Sequence, residues 1–176
     1  MKAITGAALL LTSFLIPLPF AQAEKAQLLG LVSMNGSIVD SACAIDIGSY
    51  EQSVDMGILP VSAIRQQGHG PVHPFSIKLI GCQLVPIDGS NWKTFSVTFD
   101  GASLGEWFTV SGEARGVALL LQDAQGNSIY PGKSMARQNI VQGEAVLNYG
   151  LRLVSDNKPL RPGEYQSAIR FKLDYY

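Results

Sequence analysis

Ser103 lies in Gly101-Ala102-Ser103-Leu104-Gly105, a match to G-x-S-x-G, the nucleophile elbow of α/β-hydrolases. That elbow needs a strand, a sharp turn and then a helix. The residues that follow, "EWFTVSGEARG", have no helical period. The order Ser…Asp…His is also impossible, because the only histidines, His69 and His73, both precede Ser103. The stretch reads as a glycine-rich turn after a strand. Two histidines four apart bind zinc when a helix sets them on one face. Here "GHGPVHP" surrounds them, and Gly70, Pro71 and Pro74 forbid that helix. Trp92 and Trp107 sit near turn-rich segments, where they could stack on a sugar or cover the edge of a core; the second reading is the plainer one. Carboxylates are scattered, with no pair set for glycosidase work. No catalytic constellation, metal set or cofactor motif stands out, so the chain reads as a non-enzyme.

Cys43 and Cys82 are the two cysteines. Their meaning depends on the compartment, which the N-terminus indicates. Lys2 precedes a long apolar stretch, "AITGAALLLTSFLIPLPF", and then "AQA" at 21–23. This is the order of a secretory signal peptide, cut after Ala23. Pro17 and Pro19 argue against a membrane anchor. No other stretch reaches the roughly 18 apolar residues of a spanning helix. In an exported chain an even cysteine count reads as a disulfide, and two separate buried thiols are the bland alternative. It is expected to join the first and third strands of the domain. The 176-residue chain has a net charge of −1, with no basic patch for nucleic acid and no acidic tail.

The elements that must position these residues alternate with period 2. "PFSIKLIGC" sets Phe75, Ile77 and Leu79 on one face, and "TFSVTFDG" does so with Phe95, Val97 and Phe99. "GVALLLQDAQGNS" gives Val117, Leu119 and Leu121 before a turn; "VLNYGLRLVSDN" gives Leu147, Tyr149, Leu151 and Leu153. "YEQSVDMG" reads as a shorter strand, and "LPVSAIRQQG" has room for one helical turn. Strands at this spacing, divided by Gly, Asn, Asp and Pro, predict an all-β sandwich with little helix. At the C-terminus, "GEYQSAIRFKLDYY" alternates Tyr165, Ile169, Phe171, Leu173 and Tyr175 against polar residues, with Ser167 breaking the run. It predicts a strand with one buried face and leaves open what covers it. Before Cys43, Leu28, Gly30, Val32 and Met34 also alternate. That stretch is either an ordinary first strand or an arm that leaves its own domain.

Taken together, these features resemble the pilin subunits of chaperone–usher fimbriae. "NGSIVDSACAID" is similar to the family's first-cysteine segment, "VDMG" to its next strand, and "FSIKLIGC" to its second-cysteine strand. The family's glycine fourteenth from the end and its penultimate tyrosine fall on Gly163 and Tyr175. Within the family, "VTFDG", "SGEARGVALLLQDAQGN" and "LNYGLRLV" resemble the minor subunit that terminates and anchors P-type pili. Unlike that subunit, this chain has only Glu24 to Ala42 before Cys43, the length of an ordinary donor arm.

The resemblance implies an incomplete immunoglobulin-like β-sandwich that lacks its last strand. It implies a signal peptide over 1–23, a donor arm over 24–36 and a pilin domain over 37–176. A periplasmic fimbrial chaperone lends the missing strand, an outer-membrane usher passes the subunit out, and a neighbouring pilin's arm then replaces the chaperone. On this carry-over Gly163, Tyr165, Ile169, Phe171, Leu173, Tyr175 and Tyr176 form the groove edge that meets the chaperone, with the Tyr176 carboxylate on a basic group of that partner. Leu28, Gly30, Val32 and Met34 fill a neighbour's groove. The implied function is a structural minor subunit that anchors or terminates the fimbria and supports cell adhesion. The alternatives are a major shaft or adaptor pilin and, in another class, a sugar-binding adhesin.

Overall fold

The computed structural model describes residues 33–36, 41–85, 89 and 91–176. The chain divides into two compact units, residues 1–37 and 38–176. The expected signal peptide and most of the expected arm, including Leu28, Gly30 and Val32, lie outside the described residues. Met34 is described, in a stretch with no assigned strand.

The second unit is built from short strands. In chain order these are β1 (Ala44–Ile45), β2 (His73–Cys82), β3 (Thr94–Gly101), β4 (Ser103–Leu104), β5 (Trp107–Thr109), β6 (Ser111–Gly112) and β7 (Val117–Asp123). There follow β8 (Ser128–Ile129), β9 (Gln138–Asn139), β10 (Gly143–Ser155), β11 (Tyr165–Gln166) and β12 (Ile169–Tyr175). Two short helices, α1 (Ile47–Tyr50) and α2 (Val61–Gln67), lie between β1 and β2. α2 is longer than the single turn expected at 59–68. Pro60 precedes its first residue, where a missing N–H costs nothing. Gly68 ends it at φ 78°, donating its N–H to the Ile64 carbonyl.

The strands form two facing layers. The wide sheet runs β1-β2-β10-β7-β5-β4, with β8 beside β7. The narrow sheet runs β12-β3-β9, and β6 with β11 makes a small separate ribbon. All pairings are antiparallel. The alternation read from the sequence becomes the core: Ile77, Leu79, Phe95, Val97, Phe99, Leu119, Leu121, Leu147, Tyr149 and Leu153 are all buried. β3 departs from a one-faced strand, because Ser96 and Thr98 between its apolar residues are buried too. Residues 132–135 run along its second edge: Gly132 and Met135 donate N–H to the Phe99 and Val97 carbonyls, and the Ser134 hydroxyl donates to Ser96 Oγ at 2.9 Å. Small hydroxyl side chains tolerate such cover, because a neighbour can meet their one hydrogen-bonding group.

Cys43 and Cys82 form the expected disulfide. It does not join a first and a third strand. Cys43 precedes β1 and Cys82 ends β2, and these two are neighbours. The difference arises because "YEQSVDMG", expected as a strand, is no strand here. α1 takes up Tyr50, and residues 52–60 carry no regular structure.

Tyr149 sits at the centre of the core. Its ring meets Phe99 edge-on at 4.9 Å and Phe75 at 5.5 Å, yet its hydroxyl finds no hydrogen-bond partner among the described residues. An unpaired buried polar group costs about 1–3 kcal/mol, so Tyr149→Phe is expected to stabilise the oxidised chain by on the order of 1 kcal/mol. Burial also holds the Tyr149, Tyr165 and Tyr175 phenols above their ordinary value of 10.0. Above about pH 10 the unfolded chain releases phenolic protons that the native chain keeps. Stability is therefore fully held below that pH and lost as pH rises through the native values. Chemical denaturation at rising pH should show this fall, and Tyr149→Phe should make it shallower.

Candidate functional site

The residues that first invited a chemical reading are dispersed. Ser103 starts β4 and leads into β5, so strand follows turn where an elbow needs a helix. His69 accepts a hydrogen bond at Nδ1 from the Arg152 guanidinium at 2.8 Å, while His73 begins β2. Trp92 packs at a tilt against Tyr175, with ring centres 5.9 Å apart, and Trp107 is half-buried in β5. Among the described residues no cluster of three or more His, Cys, Asp or Glu could hold a metal.

The open feature is a groove of about 1030 Å³ beside the last strand. One lip is residues 49–59. The other runs from Leu160 through β11 to Ile169 and Phe171. Phe75, Phe99, Leu119, Leu151 and Leu153 line it from the sandwich interior. β12 pairs with β3 on one side and with no strand on the other among the described residues. Its inward residues show the consequence. Ile169, Phe171, Leu173 and Tyr175 are only half-buried, whereas Phe99, Val97 and Phe95, opposite the last three in register, are sealed. An apolar strand with one free edge invites another strand.

The expected edge residues divide into two groups. Gly163, Tyr165, Ile169 and Phe171 line the groove. Leu173, Tyr175 and Tyr176 lie past its end. The Tyr175 hydroxyl donates to the Cys43 carbonyl at 3.2 Å, and the Tyr176 backbone oxygen accepts from the amides of Lys93 and Thr94. Gly163 works by close approach: a Cβ there would stand 2.5 Å from Glu113 Cβ and 2.8 Å from the Ala114 nitrogen. That proximity lets the Glu113 and Ala114 amides donate to the Glu164 carbonyl and tie the groove wall to the β6–β11 ribbon. On Tyr165, burial and then the Asp55 charge from the opposite lip raise the phenol above its ordinary value.

Sequence reasoning missed the lip at 49–59. It has no periodicity to find, and hydrogen bonds hold it in place of a ladder. Lys78 N–H donates to Ser49 Oγ at 2.9 Å, and Gln52 Nε2 donates to the Ser76 carbonyl at 3.1 Å. Ser49 is buried and Ile58 fully exposed, which is neither a strand nor a helix pattern.

The model of the fimbrial protein family matches residues 32–175. The chain belongs to that family. The pilin is 33% identical over 150 residues to the PRS fimbrial minor pilin protein of Escherichia coli, covering 83% of this chain and 77% of that one. The PAP fimbrial minor pilin protein of the same organism is 32% identical with the same coverage. Among solved structures, the P pilus rod subunit PapA superposes with a TM-score of 0.68 at 22% identity, over 77% of this chain and all of that one. A chaperone–usher pilus structure gives a TM-score of 0.69 at 25% identity, over 85% and 97%. The fold is thus the immunoglobulin-like pilin sandwich, with one edge of β12 unpaired among the described residues. The protein is a structural subunit of a surface fimbria and not an enzyme.

Proposed function

We propose that this pilin is a minor subunit that assembles by strand addition and anchors or terminates its fimbria, supporting cell adhesion. The observation that carries the reading is β12, half-buried and, among the described residues, unpaired on one edge beside an open apolar groove. A periplasmic chaperone fills that groove first, the usher exports the subunit, and the arm of residues 24–36 seats in a neighbouring pilin. Affinity comes from backbone hydrogen bonds along the β12 edge and from alternate side chains in the groove. Each large side chain fully buried there contributes roughly 1.5–3 kcal/mol. The relatives named as minor pilins support the terminal position. The openness of the groove favours the second reading, a shaft or adaptor subunit that accepts the next arm.

Two experiments test this. A synthetic arm peptide from a shaft pilin is offered to the chaperone-bound subunit: refusal supports the terminator, and exchange supports the chain-extending reading. The double change Val32→Arg with Met34→Arg buries charge without a partner in the neighbour's groove. It is expected to leave the chaperone complex intact on gel filtration and to stop attachment to the neighbour. Loss of the chaperone complex with attachment unchanged would assign the arm to the subunit's own core.

A further inference from the structure

The groove ends before the strand that borders it. Its lining on β12 stops at Phe171, while β12 itself continues to Tyr175. The side chain of Tyr175 closes the space between. Its ring packs against Trp92 at 5.9 Å and Phe95 at 6.4 Å, and its hydroxyl reaches the Cys43 carbonyl. Cys43 is fixed in turn by the disulfide to the end of β2. The plug is therefore held by both sheets: by β12 and β3 in the narrow one, and by the root of the lip in the wide one. At the far end the groove wall is tied down by the β6–β11 ribbon around Gly163.

We infer that Tyr175 is the positioning residue that sets the register of the strand received in this groove, an inference that rests on the strand-addition reading. A strand with strict alternation shows the same face after sliding by two residues, so alternation alone leaves such registers equivalent. A slide of two residues is about 6.6 Å. An apolar trough of uniform depth would admit several of these registers. A plug at one end breaks the equivalence. A strand moved toward Cys43 would have to drive a side chain into the space that the Tyr175 ring fills. Received side chains are buried beside Ile169 and Phe171, and the segment beyond them lifts away from Leu173 and Tyr175.

The test uses the oxidised chain refolded with a peptide of its own residues 26–36, "AQLLGLVSMNG", and reads hydrogen exchange along β12. Peptide is expected to protect amides up to Phe171 and leave those from Leu173 to Tyr175 unchanged. In Tyr175→Phe the ring remains, so the boundary should stay at Phe171. In Tyr175→Ala, or in Tyr175→Leu should the alanine variant not fold, protection should extend toward Tyr175. Wild-type protection running through Tyr175, or a boundary unmoved when the ring is removed, would overturn the inference. No protection in any variant would overturn this inference, while, as refusal of an arm, it would agree with the terminator reading.

Discussion

Phe171→Asp combined with Leu173→Asp is expected to abolish capture of the subunit by its chaperone and to clear it from the periplasm. Both side chains lie on the core-facing side of the narrow sheet, with Phe171 opposite Phe99 and Leu173 opposite Val97 in register. The Phe171 and Phe99 rings lie 6.1 Å apart. Two carboxylates there face an apolar sandwich interior. Each costs several kcal/mol as an ion, or takes up a proton and still leaves a polar group short of partners. The incoming strand loses the apolar surface that would bury its own side chains. Pull-down with the chaperone, together with periplasmic protein level, measures the effect. Arg170→Asp with Lys172→Asp is the control. These side chains are exposed on the other face of the same strand, so capture should survive. A double-aspartate variant that stays soluble and chaperone-free with cooperative unfolding would contradict the missing-strand reading.

Cys43→Ser with Cys82→Ser is the second large effect. The disulfide closes a loop of sequence separation 39. For that length the chain-entropy description gives about 4 kcal/mol. Domains have only about 5–15 kcal/mol in total, so the loss is a large part of the whole. The loop contains the entire lip at 49–59, which has no ladder of its own and relies on the Ser49 and Gln52 hydrogen bonds. The serine variant should unfold at markedly lower denaturant, and residues 49–59 should exchange hydrogen fastest. A shift of less than about 1 kcal/mol would show that those hydrogen bonds and the β1–β2 pairing hold the lip without the covalent link.

The sandwich was legible where burial imposes period 2. The residues of β2, β3, β7, β10 and β12 could be placed on the correct face because one face of each strand meets the core. Legibility failed where tertiary contacts replace periodicity. The lip is fixed by isolated hydrogen bonds to β2, which leave no rhythm in "YEQSVDMG". The ribbon of β6 and β11 depends on the close approach at Gly163, which a sequence shows only as one more glycine. The burial of Ser96 and Thr98 depends on residues 132–135, far along the chain. The expected groove edge reads in the sequence as one continuous line of residues. What divides it is the bond between Tyr175 and Cys43, which joins residues 132 apart in sequence.

The pairing of β12 with β3 also sets a timetable. Tyr175 lies opposite Phe95 and Ile169 opposite Gly101, so the narrow sheet closes only after a long intervening chain has been laid down. Contacts this distant in sequence form slowly, because loop closure must precede them. Until β12 docks, "TFSVTF" of β3 is an uncharged, strongly β-prone segment with a bare edge. Segments of that kind stack with copies of themselves. The interval before docking is therefore a race between intramolecular closure and association with other chains. Its outcome depends on protein concentration: dilution should raise the yield of folded subunit, and crowding the chains together should lower it.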